Sequence, residues 1–228
     1  MIQSSVRLIF LHMRTLLILL LAAVPALARD SGSIAVLERR ELAIERVAGS
    51  PSHHLRLTLA YFEDGGWAPE AIHAAVRESA QILGQCGVAL ARVELVSIDA
   101  PVRFRDFHTP VSRELARTLP LARPAVYFVA GTRQRPAFDA EAIGRGNSRT
   151  RPELRDTVWV TRGTRDLGIV LAHELAHVLM DSGDHTEVPG NLMHEDTAPE
   201  NTRLSEAQCA RLREKGSANG LLTAPWRQ

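Results

Sequence analysis

His173, Glu174 and His177 stand in the order H-E-x-x-H within the run HELAHVLMDSGDH, residues 173–185. On a helix of 3.6 residues per turn, positions i and i+4 lie one above the other, so both imidazoles reach a single ion from one face. Histidines at this spacing hold zinc, and the glutamate between them lies close enough to touch metal-bound water as a general base. A catalytic zinc takes three protein ligands and keeps one position for water, so a third side chain is required downstream. His185 is the leading candidate, with Asp181, Asp184 and Glu195 as replacements. Gly183 is a residue able to take positive φ and end the helix, which would bring His185 to the ion from outside the helical face.

Eight residues after His185 comes Met193, closing the turn-like sequence Gly190-Asn191-Leu192-Met193. This order resembles the metzincin superfamily of zinc endopeptidases, and the step from His185 to Met193 looks like that of its matrixin branch. The resemblance implies one zinc per chain held by His173, His177 and His185, with Glu174 as general base. It makes Met193 the Met-turn methionine that packs beneath the three histidines. Met180 stands where that family has glycine, and His185 follows His173 by twelve residues instead of ten, so the helix must run longer or bulge before it turns. Glu195 occupies the place, two residues beyond Met193, where some branches have a ligating tyrosine, so no tyrosine switch is expected. The implied activity is hydrolysis of peptide bonds by zinc-activated water, with a peptide or protein substrate held along an edge strand. Two other readings stay open: a zinc hydrolase whose third ligand is Glu195, and a binding module that keeps the fold without turnover.

A scaffold must bring these residues together, and the chain carries one. Leu55, Leu57 and Leu59 alternate with Arg56 and Thr58, which is strand periodicity over 54–62. Pro69 and Glu70 open a helix with apolar residues at Ile72, Val76, Ala80 and Leu83, which Gly84 and Gly87 end. A strand is expected over 88–98, a short helix over 110–119 and a buried strand over 125–129. Between Gly131 and Arg155 lies an arginine-rich stretch in which Ala142-Ile143-Gly144 reads as a hidden edge strand. Residues 157–161 form a further strand, Thr164 is placed to cap the histidine-bearing helix, and Ser205 starts a last helix running through Lys215. The fold class is therefore α/β (α+β), metzincin-like: a twisted mixed sheet, a long active-site helix and a C-terminal helix.

Arg7 and Arg14 precede an apolar run from Leu16 to Val24 and then Ala26-Leu27-Ala28, the pattern of a cleavable secretory signal. The run is too short for a stable membrane span, so no membrane anchor is expected once it is removed. The expected divisions are a signal at 1–28, an N-terminal propeptide, linker or strand extension at 29–50, and a catalytic domain at 51–228. Met13 is a second possible start. The signal holds two of the 27 basic residues and none of the 26 acidic ones, which leaves a net charge of about minus one and no reason to expect nucleic acid. The location implied is secreted or periplasmic. Cys86 and Cys209, the two cysteines of the chain, are expected to pair there, the alternative being two separate buried thiols. No feature of the sequence addresses oligomeric state.

Overall fold

The computed structural model describes residues 32–45, 50–133, 142–145 and 151–225. The expected signal at 1–28 lies outside them, as does most of the arginine-rich stretch.

Strands β1 (Ala35–Glu41), β2 (His53–Phe62) and β3 (Val88–Asp99) are followed by β4 (Asp106–Phe107), β5 (Ala125–Val129) and β6 (Gly131–Thr132). After these come β7 (Ala142–Arg145), β8 (Thr157–Thr161) and β9 (Leu222–Thr223). Among the described residues the α-helices are α1 (Pro69–Gly84), α2 (Thr109–Thr118), α3 (Leu167–Met180) and α4 (Glu206–Ala218). β4 and β6 make a small parallel pair, and the other seven strands form one twisted mixed sheet in the order β1-β3-β2-β5-β8-β7. β3, β2, β5 and β8 run parallel, whereas β1 and β7 join antiparallel at the two ends. β9 pairs antiparallel with His54 and Leu55, ahead of the point where β5 takes up the same side of β2. The 29–50 segment thus supplies a sheet strand, β1, exposed along its whole length.

Both faces of the central strands are covered, which is why β5 and β8 are buried at every position. Leu55, Leu57, Leu59, Val126, Phe128 and Val160 face one way, into a core shared with Ile72, Val76 and Leu83 of α1, Leu171 and Leu175 of α3 and Leu212 of α4. Phe62, Val96, Tyr127 and Trp159 belong to a second core with Phe104, Phe107 and Leu115. The period of two along each strand sends neighbouring side chains to opposite cores.

α1 and α3 approach so closely that a Cβ on Gly168 would stand 2.5 Å from the Cβ of Glu78. α4 is tied to the far end of α1 by the Cys86–Cys209 disulfide, whose Cα atoms are 4.9 Å apart. Among the described residues, no helix is long and apolar enough to cross a membrane. α4 runs three residues beyond the expected end at Lys215, and both ends of α3 differ from the sequence reading. α3 begins at Leu167 with Asp166 as N-cap, two residues after Thr164. It ends at Met180 because Asp181, not Gly183, takes the left-handed conformation at φ 48°. Aspartate tolerates that region through its short polar side chain, so the turn needs no glycine.

Candidate metal centre

α3 reads LGIVLAHELAHVLM and is buried from Gly168 through Met180, an apolar cylinder walled in by α1, α4 and the sheet. A helix buried all round draws its stability from burial on every side, and polar groups inside it need partners. His173 and His177 have them. His173 Nδ1 donates to the Leu192 carbonyl at 2.6 Å, and His177 Nδ1 donates to the Ser182 carbonyl at 2.7 Å. A carbonyl oxygen only accepts, so the proton of each neutral ring sits on Nδ1 and each Nε2 keeps its lone pair. The rings are held neutral near pH 7. Burial first, then the facing His177, pushes the His173 pKa down to about 4 against the raising effect of the Leu192 hydrogen bond. Burial also lowers that of His177.

The free nitrogens converge. His177 Nε2 lies 2.9 Å from His173 Nε2 and 3.1 Å from His185 Nε2, and the remaining pair is 3.3 Å apart. With the Nδ1 positions of His173 and His177 protonated, the 2.9 Å contact between their Nε2 atoms sets lone pair against lone pair. A shared cation turns that repulsion into coordination. Two imidazole nitrogens bound tetrahedrally at about 2.0–2.1 Å stand about 3.3–3.4 Å apart, close to the separations found here. The donor set therefore fits zinc, and the two backbone carbonyls orient the rings as outer-shell partners of a metal site do. Among the described residues this trio is the one group of histidine, cysteine or carboxylate side chains whose ligating atoms gather in this way. Glu195, Asp181 and Asp184 do not join it, and Asp184 is engaged by Ser182 and Arg211.

The turn that brings His185 back explains the twelve-residue spacing. Asp181 bends the chain at the end of α3, and Ser182 N–H bonds the His177 carbonyl while its own carbonyl takes the His177 ring. The two extra residues thus lie in a turn that fixes the second imidazole. His185 is exposed and lines a cleft with Met180, Met193 and Ala207, so the cluster opens to the surface on that side. Glu174 is 9% exposed on α3. It lies roughly 60° round the helix from His177 and 100° from His173, at the margin of the ligand face.

Met193 is buried in the core that contains α3. Gly190, at φ 77°, opens the turn in which it lies, and a side chain there would meet the Arg203 guanidinium. All backbone polar groups of residues 190–193 are bonded: to Asn201, Arg203, Val188, His194, His173, Asn191 and Thr186. The sequence pattern picks out His173, Glu174, His177, His185 and Met193, and the structure gathers the three imidazoles. The sequence pattern gives no sign of the Leu192 and Ser182 carbonyls, because every residue carries that group.

Among solved structures, the chain is similar to metalloproteinase-II from Bacteroides fragilis, seen in a crystal structure. The TM-score is 0.53 at 16% identity, over 76% of this chain and 57% of that one. The chain thus spans a little over half the length of that protein, and the likeness is one of fold. No protein-family model matches the chain, and no curated protein does.

Proposed function

We propose that this chain is a zinc-dependent endopeptidase of metzincin-like design, exported by a signal that is cleaved after Ala28, and acting in a periplasm or outside the cell. The observation that carries this reading is the convergence of three Nε2 atoms within 2.9–3.3 Å on an H-E-x-x-H helix, with the other nitrogens of His173 and His177 anchored on carbonyls. The fold shared with a metalloproteinase supports it.

When bound, zinc polarises a scissile carbonyl and makes water acidic enough to lose a proton near neutral pH. His173, His177 and His185 hold the ion through Nε2. Glu174 takes the proton of the attacking water on a carboxylate oxygen and delivers it to the departing amine. Met193 packs beneath the imidazoles as the Met-turn residue. β7, which among the described residues ends the sheet beside α3, would take an extended peptide along its outer edge by strand addition.

The test is cleavage of a peptide library by the purified protein. Glu174→Ala should abolish cleavage while zinc content and circular dichroism stay as in the wild type. Equal turnover by both proteins refutes the role of Glu174, and no turnover by either, with zinc bound, leaves a binding module.

A further inference from the structure

We propose that Gln208 of α4 and Asn191 form an amide clamp that fixes the Leu192 carbonyl and, through it, the His173 imidazole. Gln208 is then a positioning residue for the metal centre. The inference rests on the zinc reading of the histidine cluster.

Two backbone donors fix how these amides face. Met193 N–H donates to Asn191 Oδ1 at 2.9 Å, and Ser205 N–H donates to Gln208 Oε1 at 2.8 Å. A backbone N–H requires an oxygen opposite it, so neither amide is free to flip. Each NH2 is then left facing the other residue's oxygen. Asn191 Nδ2 donates to Gln208 Oε1 at 2.9 Å, and Gln208 Nε2 donates to Asn191 Oδ1 at 3.1 Å. The result is a two-way bond between the turn and the first turn of α4.

This bond acts one residue from a carbonyl that holds a ligand ring. Leu192 follows Asn191 directly, and its carbonyl is the acceptor for His173 Nδ1. Its own N–H is held by the Arg203 carbonyl at 2.7 Å. The segment carrying Arg203 is gripped in turn by Gln85, whose amide donates to the Thr202 carbonyl and accepts from Leu204 N–H. Gln85 and Gln208 each sit one residue before a half of the Cys86–Cys209 bridge. The Leu192 carbonyl therefore stands between two glutamine clamps whose backbones are covalently joined. Loss of the group that directly holds a ligand imidazole alters metal affinity by about 10–100-fold, and the clamp acts on that group, the Leu192 carbonyl, from one step behind it.

Gln208 has a second duty that a test must separate. It is the N3 residue of a capping box with Ser205. Glutamate serves that box equally well and favours the helix dipole. Gln208→Glu therefore keeps the cap and the acceptor for Asn191 Nδ2, but sets a carboxylate oxygen against Asn191 Oδ1 where a donor stood.

Wild type and Gln208→Glu, stripped of metal, would be titrated with Co2+ against a chromophoric chelator while the visible absorption of the bound ion is recorded. The clamp predicts Co2+ affinity lower by several-fold, up to about tenfold, with an altered absorption band; a lower metal-free thermal midpoint with wild-type affinity and band would mark a structural hydrogen bond alone and overturn the clamp. In an Asn191→Ala background, Gln208→Glu should have little further effect, because its influence passes through that side chain. If Gln208→Glu fails to fold, Gln208→Ala carries the same comparison. Wild-type affinity and spectrum in the variant overturn the clamp and leave the metal site standing. A wild type that takes up no Co2+ overturns the zinc reading, and the clamp with it.

Discussion

Metal-free protein should lose stability as pH falls below about 6.5, and His173 should carry a defined share of that loss. The residue is 4% exposed, and burial, foremost, brings its pKa from 6.5 down to about 4. Between those values the unfolded chain binds a proton that the folded chain refuses, so the free energy of unfolding rises with pH across this window. The contribution is complete above pH 6.5, declines as pH falls, and is spent below pH 4. The gap corresponds to about 3 kcal/mol, a large share of the roughly 5–15 kcal/mol that holds a domain together. At a urea dependence of about 2 kcal/mol per molar, the midpoint moves by about 1.5 M. Chelator-treated wild type and His173→Gln would be unfolded in urea at pH 7.5 and again at pH 4.5. Carboxylates titrate in the same range in both proteins, so the difference between them reports His173 together with its coupling to His177 and His185. The wild type should lose about 2–3 kcal/mol more than the variant over this interval. Equal losses would refute the claim that the fold holds His173 neutral.

Other perturbations test the scaffold. Gly168→Ala places a Cβ against Glu78 Oε2 and 2.5 Å from Glu78 Cβ, so α1 and α3 must separate. A loss of about 1–3 kcal/mol should appear as a lower thermal midpoint, and an unchanged midpoint would contradict the close approach. Removing the Cys86–Cys209 bridge by Cys86→Ser with Cys209→Ser should cost about 2–5 kcal/mol in urea unfolding, since the linkage spans 123 residues. Identical unfolding with and without reductant in the wild type would show that no bridge forms. N-terminal sequencing of the exported protein should begin at Arg29, and retention of residues 1–28 would refute the signal.

Strands and helices were legible where pattern and punctuation agreed. Leu55, Leu57 and Leu59 alternate because that face of β2 meets α1 and α3, and Pro69 opens α1 at a position that suits it while Gly87, at φ 71°, turns the chain three residues past the helix end. Ser205 was readable as a cap for the same kind of reason, and its capping box is formed. The C-terminal turn of α3 was not, since Asp181 enters the left-handed region without the glycine that usually marks it. β4, β6 and β9 are two residues long and exist through long-range pairing, which leaves no local period. In the metal centre the imidazoles were visible as spacing. What orients them was hidden, because the Leu192 and Ser182 carbonyls belong to the backbone and the Asn191–Gln208 pair joins residues 17 apart.

The most direct measurement is zinc per chain in purified residues 29–228, by elemental analysis after dialysis without chelator, for wild type, His185→Ala and Glu195→Ala. About one zinc per chain is expected in the wild type and in Glu195→Ala, with the metal lost from His185→Ala. A folded wild type that rejects added zinc would contradict the metal centre. Zinc kept by His185→Ala and lost from Glu195→Ala would contradict the three-histidine ligand set.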